Sequence, residues 1–213
     1  MCFEYEIIDG MRRLGILIAV ASALLLAACG KNEKVAVPDV FRVKFTTSRG
    51  DFVVEATRAW APRGVDRFHE LVNMRYFDEN RFFRVVPGFV AQFGVHKDYD
   101  IHDRWRKYFI LDDPPKEKNL RGSLAFAQSD PNTRSTEIFI NLADNAALDA
   151  QNFVPFATVV SGMDVVDKFY SGYGELMPEG KYIDPNRVEN GTNAYLEPHF
   201  PKLDYIKRTV FLN

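Results

Sequence analysis

The feature that most constrains the fold is the pair Pro87-Gly88, which separates two apolar runs in the stretch RFFRVVPGFVAQ at 81–92. Proline presets φ for the first central position of a tight turn, and glycine accepts the positive φ that a type II turn requires at the second position. The stretch is therefore predicted to form two antiparallel strands joined by a tight turn.

Arg84 lies inside the first of these two strands. Strict alternation predicts that Phe83 and Val85 share one face and that Arg84 points to the other. A cation in so apolar a strand is costly unless its head reaches water or a partner. Taken alone, the stretch is equally compatible with an edge strand whose arginine is solvated and with a strand that presents a functional guanidinium.

The rest of the chain contains many short strand patterns and only two helix patterns. An alternating segment at 41–45 and its return at 52–56 predict a hairpin. Further strands are predicted at 121–128, 137–142 and 156–160, and 205–212 is predicted to form either a last strand or a strap across the barrel. Apolar spacing predicts helices at 64–74 and 163–170. The pattern predicts a mainly β protein, a closed antiparallel β-barrel of about eight strands with two flanking α-helices.

The N-terminal segment predicts export. Two arginines at 12–13 precede an apolar run that ends in small residues, which is the pattern of a secretory signal. Its end, LAAC at 26–29, resembles a bacterial lipobox, in which the cysteine becomes a lipidated N-terminus; the alternative is a plain signal with a chance cysteine. We therefore expect a signal peptide at 1–28, lipidation of Cys29 and a tether at 29–39. The expected location is periplasmic, anchored to the membrane, with the outer membrane favoured.

Composition excludes several classes of function. The formal net charge of −2 argues against a nucleic-acid binder that relies on phosphate contacts. The two cysteines, Cys2 and Cys29, both precede the folded part, so no disulfide framework is expected there. The sequence contains no recognisable nucleophile triad and no metal-ligand spacing, and we expect neither a cofactor nor a metal.

The order of residues from Arg84 to Gln92 resembles the signature of the cyclophilins, the peptidyl-prolyl cis-trans isomerases. The segment RGSLAFAQ at 121–128 resembles that family's Gly-x-Leu-x-x-Ala segment. The resemblance covers 40–170 and implies a cyclophilin-like barrel there, with 171–213 as a C-terminal extension packed on it. It also implies that proline-containing polypeptides are the substrates, and we expect the protein to be a monomer.

The resemblance further implies roles for individual residues. Arg84 would stabilise the twisted amide, in which the prolyl nitrogen gains a lone pair, and Gln92 would hold a substrate carbonyl. Phe89 completes the set of residues implied to be catalytic. The residues implied to contact substrate are Val90, Ala127, Gln128, Phe139, Leu148 and Phe153. If the resemblance failed, Phe139 and Leu148 would be ordinary core residues.

The chain departs from the usual cyclophilin pattern at several positions. Ala147 stands where many members have a tryptophan, which leaves cyclosporin sensitivity open, and Glu137 replaces a common glutamine. The leading hypothesis is an isomerase that assists the folding of exported proteins. The alternatives are a non-catalytic proline-binding module or holdase on the same barrel and, more remotely, a structural lipoprotein with an unrelated barrel.

Overall fold

The structure is a computed structural model, and it describes residues 36–177 and 182–212. The expected signal peptide, Cys29 and most of the expected tether lie outside the described residues, so those expectations stay predictions. The strands are β1 Val40–Thr47, β2 Asp51–Thr57, β3 Arg84–Val86, β4 Val90–Phe93, β5 Ser123–Phe126, β6 Ile138–Asn141, β7 Pro155–Ser161 and β8 Ile206–Leu212. The described helices are α1 Pro62–Asn73, α2 Tyr99–Arg106, α3 Ala146–Ala150, α4 Met163–Val166 and α5 Pro185–His199.

The eight strands form one antiparallel sheet in the order β3-β4-β6-β5-β7-β2-β1-β8. This confirms a mainly β fold of about eight strands. The predicted full closure is wrong, because the order is linear and the sheet is curled but open, with β3 and β8 at its edges. Backbone hydrogen bonds between the chain just before β3 and the chain at the beginning of β8 bridge the two edges of the sheet. Phe82 N–H donates to the Asp204 carbonyl at 2.9 Å, and Ile206 N–H donates to the Asn80 carbonyl at 2.9 Å.

The main core lies inside the curl of the sheet and is dominated by phenylalanine rings. Phe45 and Phe52 stack with ring centroids 4.7 Å apart, and Phe68 of α1 packs against both Phe45 and Phe156. Helix α1 confirms the first predicted helix, since its apolar stripe, including Val65 and Phe68, is fully buried in this core. Burial of this stripe against the sheet is what fixes the helix in place.

The prediction of only two helices is wrong. Helix α4 ends after one turn at Val166, because the chain turns so that Phe169 can stack on Phe82 in the core, with centroids 4.0 Å apart. Helix α2 has no counterpart among the helices predicted from the sequence; it is short, its only buried residue is His102, and Trp105 packs partly buried against the main core. No helix within the described ranges is both long and apolar enough to span a membrane.

The C-terminal extension is part of the folded unit. Its last segment forms strand β8, which pairs with β1 and supplies one edge of the sheet, so of the two predicted forms of 205–212 the strand is the one observed. Helix α5, which was not predicted, covers a second apolar cluster that includes Phe83, Val188 and Leu196. The predicted alternation therefore fails at Phe83. Phe83 packs under the extension, whereas Val85 joins the main core, because the regular strand starts only at Arg84.

Candidate active site

The tight turn between β3 and β4 creates the first element of the site. Phe89 N–H donates to the Val86 carbonyl at 2.9 Å, and Gly88 has a φ of +71°, which confirms the predicted turn. The turn sets the register so that Arg84 lies directly opposite Gln92. Residues opposite each other on antiparallel strands present their side chains to the same face. Accordingly, Arg84 Nη1 donates to Gln92 Oε1 at 3.1 Å.

This pair begins a row that crosses four strands. Gln92 is paired with Phe139 on β6, and Phe139 is paired with Ala125 on β5. Val90 shares this face because it lies two residues before Gln92 on the same strand. The face has its own apolar cluster, separate from the main core, built on Val90, Ala125, Phe139 and Leu148.

These side chains surround a pocket of about 300 Å³. Its lining consists of Arg84, Phe89, Val90, Gln92, Ala127, Gln128, Phe139, Leu148, Gln151 and Phe153. The fold thus brings together every residue that the sequence implied to be catalytic or substrate-binding, and it adds Gln151. The role of each residue stays a prediction.

The apolar walls of the pocket are held from several directions. The Phe139 and Phe153 rings meet edge to face, with centroids 5.5 Å apart. Leu148 is carried by the short helix α3, and the preceding Asn145 donates through Nδ2 to the Phe89 carbonyl at 2.9 Å. The Arg84 guanidinium carbon lies 5.3 Å from the centroid of the Phe89 ring. A cation against one wall and aromatic or aliphatic groups on the others suit a small apolar ring next to a polar bond.

A polar network continues from Gln92 away from the pocket. Gln92 Nε2 donates to Glu137 Oε2 at 2.7 Å. The Glu137 carboxyl is in turn hydrogen-bonded to that of Glu189 on α5, which accepts from His102 Nε2 at 3.0 Å and from Arg106 Nη1 at 3.3 Å. Arg84 is therefore connected, through Gln92, to charged groups of the C-terminal extension.

The two carboxyl groups of this network have opposite pKa shifts. Burial raises the pKa of Glu137, and the negative charge of Glu189 raises it further. Burial also acts to raise the pKa of Glu189, but hydrogen bonds from His102, Glu137 and Arg106 outweigh burial and lower it. The pair therefore holds its proton on Glu137, which can donate it to Glu189 in a hydrogen bond.

A second cavity of about 470 Å³ adjoins the pocket, and the two share Gln92, Ala127 and Gln128 in their linings. Gln128 Oε1 is buried and has no hydrogen-bond partner within the described ranges, so it is free to accept. The far side of the cavity is lined by Arg106, Glu137 and Glu189, among others. The two cavities form a groove that is apolar at one end and charged at the other.

Sequence reasoning missed the contributions of the extension. Glu175 accepts from both Nε and Nη2 of Arg84, with the Nη2–Oε2 distance at 2.7 Å. Neither Glu175 nor Glu189 stands in a motif, and each meets its partner only through the packing of the extension. Glu137 did carry a signal, since an acid replaces the glutamine common at that position in cyclophilins.

Comparison with known proteins identifies the family. The model of the family "Cyclophilin type peptidyl-prolyl cis-trans isomerase/CLD" matches residues 42–188. The chain belongs to the cyclophilins. This confirms the family predicted from the sequence and, with it, the enzyme class.

Among curated cyclophilin relatives, peptidyl-prolyl cis-trans isomerase A of Dickeya dadantii is 32% identical over 159 residues, which is 72% of this chain and 82% of the relative. Isomerase B of Escherichia coli is 33% identical over 135 residues, covering 59% of this chain and 82% of the relative.

Solved structures agree on the fold of this cyclophilin. A cyclophilin-type isomerase of Cryptosporidium parvum superposes with a TM-score of 0.57 at 22% identity, covering 82% of this chain and 98% of that one. Its structure in the presence of the dipeptide Ala-Pro gives a TM-score of 0.57 at 20% identity, covering 81% and 99% of the two chains. These likenesses establish the cyclophilin-like architecture.

Proposed function

We propose that this cyclophilin accelerates the cis-trans isomerisation of X-Pro bonds in polypeptides, with Arg84 as the catalytic group. The observation that carries the proposal is the position of Arg84. Its guanidinium is held by Gln92 at the edge of an apolar pocket of about 300 Å³, whose walls include Phe139 and Leu148. A prolyl ring in that pocket would bring its imide bond close to the guanidinium.

The chemistry requires no bond to be broken. Rotation about the planar amide has a barrier of ~18–20 kcal/mol, and in the twisted state the prolyl nitrogen becomes pyramidal and gains a lone pair. A guanidinium N–H directed at that nitrogen stabilises the twisted amide more than the planar one, and therefore lowers the barrier. The pocket contributes by excluding water from the proline ring, which strengthens this interaction.

The groove beyond the pocket suits the chain that precedes the proline. Gln92 and Gln128 carry amide groups at the junction of the two cavities, where they can bind the peptide backbone. Ala127, which lies beside them, follows strand β5. A related isomerase structure was determined in the presence of Ala-Pro, which supports a proline-containing peptide as the ligand.

The second part of the proposal is the cellular location. The apolar run that ends in LAAC at 26–29 supports export to the periplasm, with lipidation of Cys29 and a tether to the outer membrane. We further expect the enzyme to be a monomer. Several acyl chains would give a stable anchor, whereas one chain alone binds only marginally. Intact-mass measurement on protein extracted from bacterial membranes tests this. An unmodified Cys29 or retained residues before it would contradict the anchor.

The activity is tested by exchange spectroscopy on an Ala-Pro peptide with the full chain purified in detergent. We expect the cis-trans exchange rate to rise in proportion to enzyme concentration. A folded wild-type protein that binds proline peptides without accelerating exchange would contradict the proposal and favour a non-catalytic binding module or holdase.

A further inference from the structure

The guanidinium of Arg84, the catalytic group of the proposed site, is bound by a carboxylate of the C-terminal extension. This carboxylate, Glu175, lies outside strands β3 and β4. Glu175 lies 91 positions after Arg84, in the segment that follows α4, and forms a two-point ion pair with the guanidinium. The carboxylate itself is fixed, because the Leu176 N–H donates to its Oε1 at 2.9 Å. A two-point pair of this kind sets the plane of a guanidinium as well as its position.

A count of donors shows what this pairing leaves free. A guanidinium has five N–H groups. Arg84 uses Nε–H and one Nη2–H on Glu175, and one Nη1–H on Gln92. The two remaining N–H groups, one on each Nη atom, have no partner among the residues that the structure describes. They are the donors available to a substrate bound in the pocket that Arg84 lines.

Glu175 contacts Arg84 without filling the pocket. It is absent from the residues that line the pocket of about 300 Å³, so the pair leaves that pocket open. The side chain of Glu175 is 49% exposed, whereas that of Arg84 is 20% exposed. Water therefore screens much of the negative charge of Glu175. The two hydrogen bonds from Arg84, together with the Leu176 N–H on the carboxylate, still define the orientation of the guanidinium.

We propose that Glu175 is a positioning residue for the isomerase reaction. It holds the Arg84 guanidinium so that the two free N–H groups of Arg84 point toward the twisted amide of the substrate. The inference rests on the proposed function of Arg84. It gives the C-terminal extension a role in orienting the arginine of the proposed site. Restriction of the last torsions of Arg84 before substrate binds removes an entropic cost from the transition state.

The state of ionisation is consistent with this role. Burial acts to raise the pKa of Glu175, but hydrogen bonds from Arg84 and from the Leu176 N–H outweigh burial, and the net pKa is below its usual value. Glu175 is therefore a carboxylate at neutral pH, the form that accepts both guanidinium donors.

The test uses the full chain with Glu175→Ala, Glu175→Gln and the control Glu197→Gln. Glu197 is also on the extension, and it pairs with Arg81 at 2.6 Å, three residues before Arg84, but it does not line the pocket. We expect kcat/KM to fall about tenfold in Glu175→Ala, mostly through kcat, with a smaller loss in Glu175→Gln, which keeps an acceptor. Glu197→Gln should retain wild-type activity.

A double-mutant cycle with Arg84→Ala separates positioning from general stabilisation. If Glu175 acts through Arg84, its removal should cost nothing further once Arg84 is absent. In the proteins that retain Arg84, the Arg84 Nε–H resonance should exchange slowly with water in the wild type and rapidly in Glu175→Ala. Increased activity in Glu175→Ala would identify Glu175 as inhibitory and overturn the inference. An equal loss in the Arg84→Ala background would also overturn it, whereas an inactive wild type would instead contradict the proposed function.

Discussion

Arg84 and Gln92 face each other across β3 and β4, with Arg84 Nη1 donating to Gln92 Oε1 at 3.1 Å. The contact follows from a local cause, since the tight turn at Pro87-Gly88 fixes which residues are opposite each other. The same Gln92 amide then donates to Glu137 at 2.7 Å. The Gln92 side chain thus orients Arg84, the proposed catalytic group, and connects it to the carboxyl pair of Glu137 and Glu189.

Phe139→Ala should lower activity by removing a wall of the pocket that we propose binds proline. Phe139 is 4% exposed, so the change also costs roughly 3–5 kcal/mol of the free energy of unfolding. Phe126→Ala is the matched control, because Phe126 is fully buried in the main core and does not line the pocket. We expect isomerase activity per folded molecule to fall in Phe139→Ala and to persist in Phe126→Ala. Circular dichroism on the assayed samples gives the folded fraction, and full activity in folded Phe139→Ala would remove Phe139 from the site.

Glu137→Gln should change how stability depends on pH. The native pKa of Glu137 is raised above its ordinary value of 4.5 by burial and by Glu189. A raised pKa means that the native state holds a proton that the unfolded state has lost. The contribution of this bound proton to the free energy of unfolding is therefore complete below about pH 4.5. It is lost as the pH rises through the native pKa of Glu137, by at most about 1.4 kcal/mol per pH unit.

The glutamine variant can keep the hydrogen bond from Gln92 and donate to Glu189 without titrating. Urea unfolding of both proteins at a series of pH values measures the difference between their free energies of unfolding. We expect the variant to gain stability relative to the wild type as pH rises from acid to alkaline. A difference that is independent of pH would show that Glu137 is not protonated in the native state.

Asp113→Ala should destabilise the fold without touching the site. Asp113 is 1% exposed, and it accepts from the N–H groups of Arg63 and Gly64 at the start of α1 and from Arg134 Nη2 at 3.1 Å. Its removal leaves the buried Arg134 with Asp112, whose Oδ1 lies 3.3 Å from Nε, and takes the acceptor from the Arg63 and Gly64 N–H groups. We expect a cost of roughly 1–3 kcal/mol. Asp113→Asn, which keeps one acceptor, should lose less. Denaturant unfolding measures the loss, and a change below about 1 kcal/mol for the alanine variant would contradict this role.

The parts of the site that could be predicted from sequence are those set by local chemistry. The turn at Pro87-Gly88 and the alternation along β4 place Arg84, Gln92 and Val90 on one face, and both are visible in the residue order. Family resemblance supplied the distant residues such as Phe139 and Leu148, which the fold brings into the same pocket.

The rest of the fold and of the site depends on tertiary packing, which leaves no pattern in the local sequence. Helix α5 contains Gly191 and Pro198, both of which disfavour helix, and a backbone kink at Thr192. It forms because Val188 and Leu196 bury against the cluster around Phe83. The opening of the sheet also leaves no local pattern in the sequence, since it depends on how the chain at 79–82 meets the chain at 204–206 through backbone hydrogen bonds.

The central claim is that the Arg84 guanidinium stabilises the twisted amide, and the most direct test is the catalytic efficiency of Arg84→Ala and Arg84→Lys. Lysine keeps the charge but loses the planar fork, whereas alanine loses both. A charge-assisted hydrogen bond contributes roughly 1.5–3 kcal/mol, so we expect kcat/KM to fall at least about tenfold in both variants, and further in Arg84→Ala. The measurement is magnetisation transfer on an Ala-Pro peptide, with circular dichroism on the same samples. Wild-type efficiency in a folded Arg84→Ala protein would contradict the account.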